Sequence, residues 1–349
     1  MQNNRNSSIE LLRVISMIMI LTLHVNFLSL GAPTTSEITT FPVQTFTRFF
    51  IHYLCIVGVN VFVFISGWFG INYKTKGLYS YLFQCLFFSI AIFIAFALTG
   101  GIEMTRRNIM SSFMLYKNAY WFVWAYLVLY IMSPILNSFI KTSSKSEVKR
   151  ILILFFIIQT ILSMFSSLGF YQAGYSPLSF FGLYLLARYY RLYKESQIKG
   201  KYIYLLIFLL CATINTLASF LPPFIGVSSE IVEWRCTMYV NPINIIGALS
   251  LLLFFTRLNF SSKIINYIAT SCFAVYLLHM HFCVSGYYID MAKYIFNNFS
   301  GCIYLLAIVI LFILVFVVSI IIDRIRILCF KHLWNKYESL KYQTKKHDE

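Results

Sequence analysis

The chain has 349 residues, of which 59% are hydrophobic, 19% aromatic and only 11% charged, whereas soluble domains carry about 25% charged residues. So few charges cannot coat a soluble body of this size, which excludes an ordinary globular protein and makes the bilayer the expected solvent. Lys and Arg outnumber Asp and Glu by 28 to 12, a formal +16; in a soluble chain this would point to nucleic acid, but here it becomes a question of topology, and no nucleic-acid partner is expected.

Cutting the chain at its charged residues leaves uncharged runs at 14–36, 49–73, 77–102, 118–140, 151–187, 202–229, 236–256, 264–289 and 294–322. Each is long enough to cross about 30 Å of hydrocarbon as a helix of about 20 residues. The run 151–187 is interrupted by Gly169, Gly174 and Pro177 and reads as two spans. The expected fold is therefore an all-α integral membrane protein, a polytopic bundle of about ten transmembrane helices, since lipid leaves no open-sheet alternative. The spans fill 1–329, and 330–349 forms a basic cytoplasmic tail. The first apolar run lacks an A-x-A ending and is expected to remain in the mature chain. The eight Cys residues form no CxxC pair and read as small buried hydrophobes, with no metal site expected.

Ten spans place both termini on one side and alternate the loops. On that assignment 22 of the 28 Lys and Arg fall on the terminal side, so both N and C termini are expected to be cytoplasmic in a multi-pass cell membrane protein. The exception is the loop 103–117, where Arg106 and Arg107 fall on the outer side and a short interfacial helix is one explanation.

The first span carries the most informative polar set. It opens NRNSSIELLRVISMIMILTLHVNF and contains Arg5, Glu10, Arg13 and His24. At 100° per residue Arg13 and His24 lie within about 20° of one face and Glu10 about 60° from Arg13. Eleven residues rise about 16 Å, so an Arg13 at the cytoplasmic boundary places His24 near mid-membrane. Ionisable groups at that depth are functional candidates by default. Each also has a plain structural reading. Ser7-Ser8-Ile9-Glu10 fits an S-x-x-E capping box, Arg13 can snorkel to headgroups, and His24 can be a core imidazole bonded to a carbonyl.

The series Arg5, Ile9, Glu10, Leu12, Arg13 and His24 resembles the opening of the membrane-bound acyltransferase 3 family, R-x-x-x-L-D-x-L-R with an R-x10-H core, with Ile and Glu replacing Leu and Asp. Later segments agree in order: VNVFVFISGWFGI (59–71), NAYWFVWAYLVLYIMSPILN (118–137), SFFGLYLLAR (179–188) and SCFAVYLLHMHF (271–282). Many relatives carry an Arg-rich stretch ending in Pro after the Ser-Gly helix, where this chain has Lys74 and Lys76. The resemblance implies transfer of an acyl group, with acetyl the prior, from acetyl-CoA (acyl-CoA) as donor substrate to a hydroxyl of a carbohydrate or lipid-linked glycan acceptor, with no permanently bound cofactor. Such a transfer needs a general base, so His24 is expected to take the acceptor proton, or to be itself briefly acylated, with Arg13, Glu10 and Arg5 on the acyl-CoA side. His279 matches the family's Y-L-x-H position.

Other residues have weaker claims. Ser66-Gly67 reads as a close-packing pair, Tyr120, Trp121, Trp124, Tyr126 and Tyr130 as an interfacial belt or a sugar platform, and Glu230, Glu233 and Arg235 as an outer loop. His52 and Asn60 share the second span. The competing function is a polysaccharide or lipid-linked-sugar transporter, which needs the same polar interior but no acyl donor. A polymerase of surface glycans resembles chains with one large outer loop, which these runs do not leave room for.

Overall fold

The computed structural model describes residues 6–114, 120–166, 169–197 and 200–348, and contains helices but no strand among them. In chain order the helices are α1 (Ser7–Leu23), continued by a π-helical turn (His24–Leu28), then α2 (Thr35–Thr40), α3 (Pro42–Cys55), α4 (Gly58–Phe69), α5 (Thr75–Leu98), α6 (Arg106–Ser112), α7 (Trp121–Thr142) and α8 (Lys145–Met164). There follow α9 (Pro177–Tyr193), α10 (Lys201–Phe220), α11 (Glu230–Thr237), α12 (Pro242–Phe255), α13 (Lys263–Ala269), α14 (Cys272–His279), α15 (Ser285–Asn298) and α16 (Gly301–Asp348).

Among the described residues, seven helical segments are long and apolar enough to cross a membrane: Ser7–Leu28, Pro42–Phe69, Thr75–Leu98, Trp121–Thr142, Lys201–Ile225, Glu230–Phe255 and Gly301–Lys341. The run 151–187 does divide in two, as α8 and α9. However, α8 opens with Lys145, Glu147, Lys149 and Arg150, and α9 has 17 residues. The run 264–289 is not one helix, contrary to its composition. It breaks between α13 and α14, and again after α14, where the His281 ring accepts from the Cys283 N–H at 3.1 Å and replaces the helical ladder. Arg106 and Arg107 start the short helix α6, capped by the Thr105 hydroxyl at 3.2 Å from Asn108 N.

Local chemistry explains where helices start and bend. Ser144 and Glu147 form a capping box at α8, as do Thr34 and Glu37 at α2. Pro177 and Pro242 occupy the first turn of α9 and α12, where their missing N–H is not needed. Pro134 lies inside α7 and cannot donate to the Tyr130 carbonyl. The Ser133 hydroxyl takes that acceptor at 2.7 Å, which keeps it satisfied where water is scarce.

The chain forms two compact units. The first comprises residues 1–73, 121–269 and 289–298. Its centre is the α3–α4 segment, 72% buried over its apolar stretch. Glycines let α4 approach its neighbours: a Cβ on Gly58 would lie 2.9 Å from the Ser16 carbonyl of α1, and one on Gly67 would lie 2.5 Å from the Tyr184 carbonyl of α9. Asn60 is fully buried and donates to the Tyr239 carbonyl at 2.9 Å.

The second unit comprises residues 74–120, 270–288 and 299–349. It contains α5, α6, α14 and α16. Asp323, wholly buried in α16, accepts from Arg326 Nη2 at 2.6 Å, Gln84 Nε2 at 3.0 Å and the Ser271 hydroxyl at 2.8 Å. This tie joins α5, the start of α14 and α16. Apart from it, α16 faces outward, with 6% of its most apolar stretch buried, and it continues without a break into the basic tail.

Candidate active site

The site is built on the first helix of unit 1. Asn6 caps α1, accepting from Ser8 N at 3.1 Å. Ser7 is therefore not the cap, which corrects the S-x-x-E reading; its hydroxyl instead accepts from Ser262 N at 2.9 Å. Glu10 is buried and faces Arg13 at 3.8 Å, with 11% and 37% of their side chains exposed. Arg5 lies outside the described residues.

The helix runs unbroken from Ser7 to Leu23, so the shared face of Arg13 and His24 is present in the fold. Between them on that face sit Met17 and Ile20, buried at 2% and 6% exposure. His24 is half-buried and opens the π-helical turn, the Ser29 hydroxyl donating to its carbonyl at 2.6 Å. An inserted residue of this kind widens the helix and re-aims the side chains around it, and such turns recur at functional sites.

Near Arg13 the fold brings in two residues that composition assigned to other duties. The Ser66 hydroxyl donates to the Phe62 carbonyl at 3.2 Å, so the Tyr126 hydroxyl, 3.0 Å away, donates to Ser66 Oγ. The Arg13 guanidinium acts electrostatically on that Tyr126 phenol. Gly67, beside Ser66, is the expected close-packing residue.

At the end of unit 1 where α4, α7 and α9 terminate lies a cavity of about 720 Å³, lined by Gly70, Asn72, Asn137, Ser138, Lys141 and Arg188 among others. A closed ring of hydrogen bonds frames it. The Ile71 N–H donates to the Tyr184 hydroxyl at 2.9 Å, that hydroxyl donates to Asn137 Oδ1 at 2.8 Å, and Asn137 Nδ2 donates to the Ile71 carbonyl at 2.9 Å. Gly70 has φ 78° and lies against the Arg188 guanidinium, where a Cβ would come within 2.9 Å of Nη1. The positive φ demands glycine, whereas the Arg188 tip belongs to a flexible side chain that can shift. The lining is cationic through Lys141 and Arg188, which suits phosphate. Sequence reasoning missed this cavity because it is closed by bonds between segments 47 to 113 positions apart.

The other histidines divide between the units. His52 belongs to unit 1, buried on α3 with its ring stacked on Phe27. His279 and His281 belong to unit 2. His279 is 1% exposed and its Nδ1 lies 2.6 Å from the Val275 carbonyl, the geometry of an imidazole bonded within its own helix. His281 accepts at Nδ1 from Cys283 N and so donates through Nε2 to the Ser89 carbonyl at 3.0 Å, a satisfied neutral ring. The Tyr120 hydroxyl donates to the Leu277 carbonyl at 2.5 Å, so it serves the fold of unit 2. Trp124 is 41% exposed, as a lipid-facing belt residue would be.

No curated protein and no solved structure matches the chain. The family model of the acyltransferase domain, Acyl_transf_3, matches residues 6–324. That match takes in the Arg13–His24 helix, the cavity and most of both units, so the chain belongs to the acyltransferase 3 family of membrane acyltransferases.

Proposed function

We propose that the chain transfers an acyl group, acetyl in the first instance, from acyl-CoA to a hydroxyl of a surface carbohydrate or lipid-linked glycan. The observation that carries this reading is the unbroken α1, which holds Arg13 and His24 on one face and changes to a π turn at His24. In this reading the seven full-length helices, with α8, α9 and the broken α14–α15 region, make ten crossings. Both termini face the cytoplasm, because the basic residues collect on that side.

The donor then approaches the cytoplasmic end of unit 1. Lys141 and Arg188 meet the phosphates of CoA, and Arg13 meets the thioester arm. Met17 and Ile20 separate Arg13 from His24, so their side chains move aside to admit the arm. His24 removes the proton from the acceptor hydroxyl as the oxygen attacks the thioester carbonyl. The C–S bond breaks, the acyl group passes to oxygen, and the proton held by His24 leaves with the CoA thiol.

The test is the amount of ester-linked acyl group on surface glycans in cells that have the wild-type chain, none, or His24→Ala. Loss of ester in the latter two, with total polymer and membrane level of the variant unchanged, supports the reading. Full ester with His24→Ala overturns it, and loss of polymer with unchanged ester content favours transport.

A further inference from the structure

A buried imidazole with both nitrogens unmatched is costly, because each nitrogen surrenders a water contact and gains nothing in return. His52 is in that position. It is 5% exposed, and neither Nδ1 nor Nε2 has a hydrogen-bond partner in the protein. Its ring lies 3.7 Å, centroid to centroid, from Phe27 with 16° between the planes, and meets Tyr53 edge-on at 5.3 Å. Those contacts fix the ring's plane but satisfy neither nitrogen.

The surroundings also limit what can satisfy it. The Tyr53 hydroxyl is hydrogen-bonded to the Ser219 hydroxyl at 2.6 Å. One turn before His52, Arg48 is committed elsewhere: its Nε donates to Asn26 Oδ1 at 3.1 Å and its Nη2 to the Gly31 carbonyl, while Asn26 Nδ2 donates to the Arg48 carbonyl at 2.8 Å. This cluster stands about 20 Å along α1 from Arg13, at the far end from the cationic cavity. Phe27 belongs to the π turn that His24 opens, less than one turn further along the same helix.

We propose that His52 is an acceptor-binding residue, its two ring nitrogens each holding a hydroxyl group of the carbohydrate acceptor at the level of His24. The proposal rests on the acyl-transfer reading and adds the side from which the acceptor approaches. A neutral imidazole offers one donor and one acceptor on different edges of the ring, and two hydroxyls of a polyol, each able to donate or accept, match them. A phosphate or carboxylate offers acceptors alone and leaves the unprotonated nitrogen opposed to lone pairs, while the nearest guanidinium is already bonded. The ligand chemistry is therefore polyhydroxylic and not anionic. The stack on Phe27 also links an occupied His52 to the π turn, so acceptor binding is felt at the base.

The test uses the full-length chain with His52→Phe, which keeps an aromatic ring against Phe27 and removes both nitrogens, and His52→Gln, which restores one donor and one acceptor. Three quantities are read: the thermal midpoint of the purified protein in lipid nanodiscs, its affinity for acetyl-CoA, and ester-linked acetyl on surface glycans. The expected result for His52→Phe is a midpoint equal to or above wild type and acetyl-CoA affinity within about twofold, with ester content down about tenfold or more. His52→Gln recovers part of the ester. Wild-type ester content in His52→Phe overturns the proposal, and so does loss of acetyl-CoA affinity in a folded His52→Phe, which would put the ring on the donor side. A lowered midpoint in both variants also overturns it, by showing that the imidazole serves the fold. The underlying reading stands or falls separately on the His24→Ala comparison.

Discussion

A Cβ on Gly67 would lie 2.5 Å from the Tyr184 carbonyl oxygen and 2.8 Å from the Ala187 methyl. The same Tyr184 supplies the hydroxyl that frames the cationic cavity, so the crossing of α4 and α9 sets both core density and the position of the Gly70–Tyr73 loop. Gly67→Ala should force the helices apart, destabilising by about 1–3 kcal/mol and weakening acetyl-CoA binding as the Tyr184–Asn137–Ile71 ring opens. Gly286→Ala is the control, because nothing lies within 4 Å of a Cβ there, and it should leave both quantities near wild type. A wild-type thermal midpoint in Gly67→Ala would show that the crossing tolerates a methyl group.

Much of this was readable from the chain alone, for a physical reason. A helix repeats every 3.6 residues whatever surrounds it, so the common face of Arg13 and His24 needed no tertiary knowledge. Long charge-free runs likewise lie close to helices: 77–102 against Thr75–Leu98 and 202–229 against Lys201–Phe220. What escaped depends on partners distant in sequence or on one-residue changes of ladder. The break of 264–289 reflects bonds from Ser271 to Asp323 and from His281 to Ser89. The π turn at His24 leaves no mark in composition, the choice of Asn6 over Ser7 as cap turns on a single residue, and the Ser66–Tyr126 bond spans 60 positions.

Asp323 and Arg326 form an ion pair with almost no exposure, and such a pair is damaged most by removing one member. Asp323→Ala should lower stability by about 3 kcal/mol or more, since it leaves the Arg326 guanidinium buried without its carboxylate. The double variant Asp323→Ala/Arg326→Met should recover most of the loss, the flexible thioether filling the vacated volume. Unfolding of the wild type, Asp323→Ala, Arg326→Met and the double variant in one detergent gives the coupling directly, and additive losses would show that the pair acts as two independent groups.

The Glu37 carboxyl is held below its ordinary value of 4.5, chiefly by the backbone N–H of Thr34, with the Thr34 hydroxyl and Arg48 adding to the effect against slight burial. A depressed carboxylate stabilises the fold fully above its unfolded value and ceases to do so as pH falls through the lowered one. Amide protection of Thr35–Thr40, corrected for intrinsic exchange, should be flat from about pH 8 to 5 and decline below about pH 4. Glu37→Gln should be less protected at neutral pH and show no such decline. Equal protection of the two proteins at neutral pH would remove the carboxylate from the account of α2.

Arg13 and His24 share a helix face but have different tasks in the proposed reaction, and steady-state kinetics can separate them. Arg13 presents a planar fork, half-open to solvent and 3.8 Å from Glu10, so its duty is to hold the donor. Arg13→Lys keeps the charge and loses the fork, and should raise the acyl-CoA KM about tenfold while leaving kcat within a few-fold. Because the guanidinium works near water, that KM should also rise with salt in the wild type. His24→Ala should do the reverse, with acetyl-CoA binding retained and kcat reduced by about a hundredfold or more, as expected for loss of a general base. A common fall in kcat for both variants, with donor affinity unchanged, would place Arg13 in the chemical step and refute its assignment to the donor mouth.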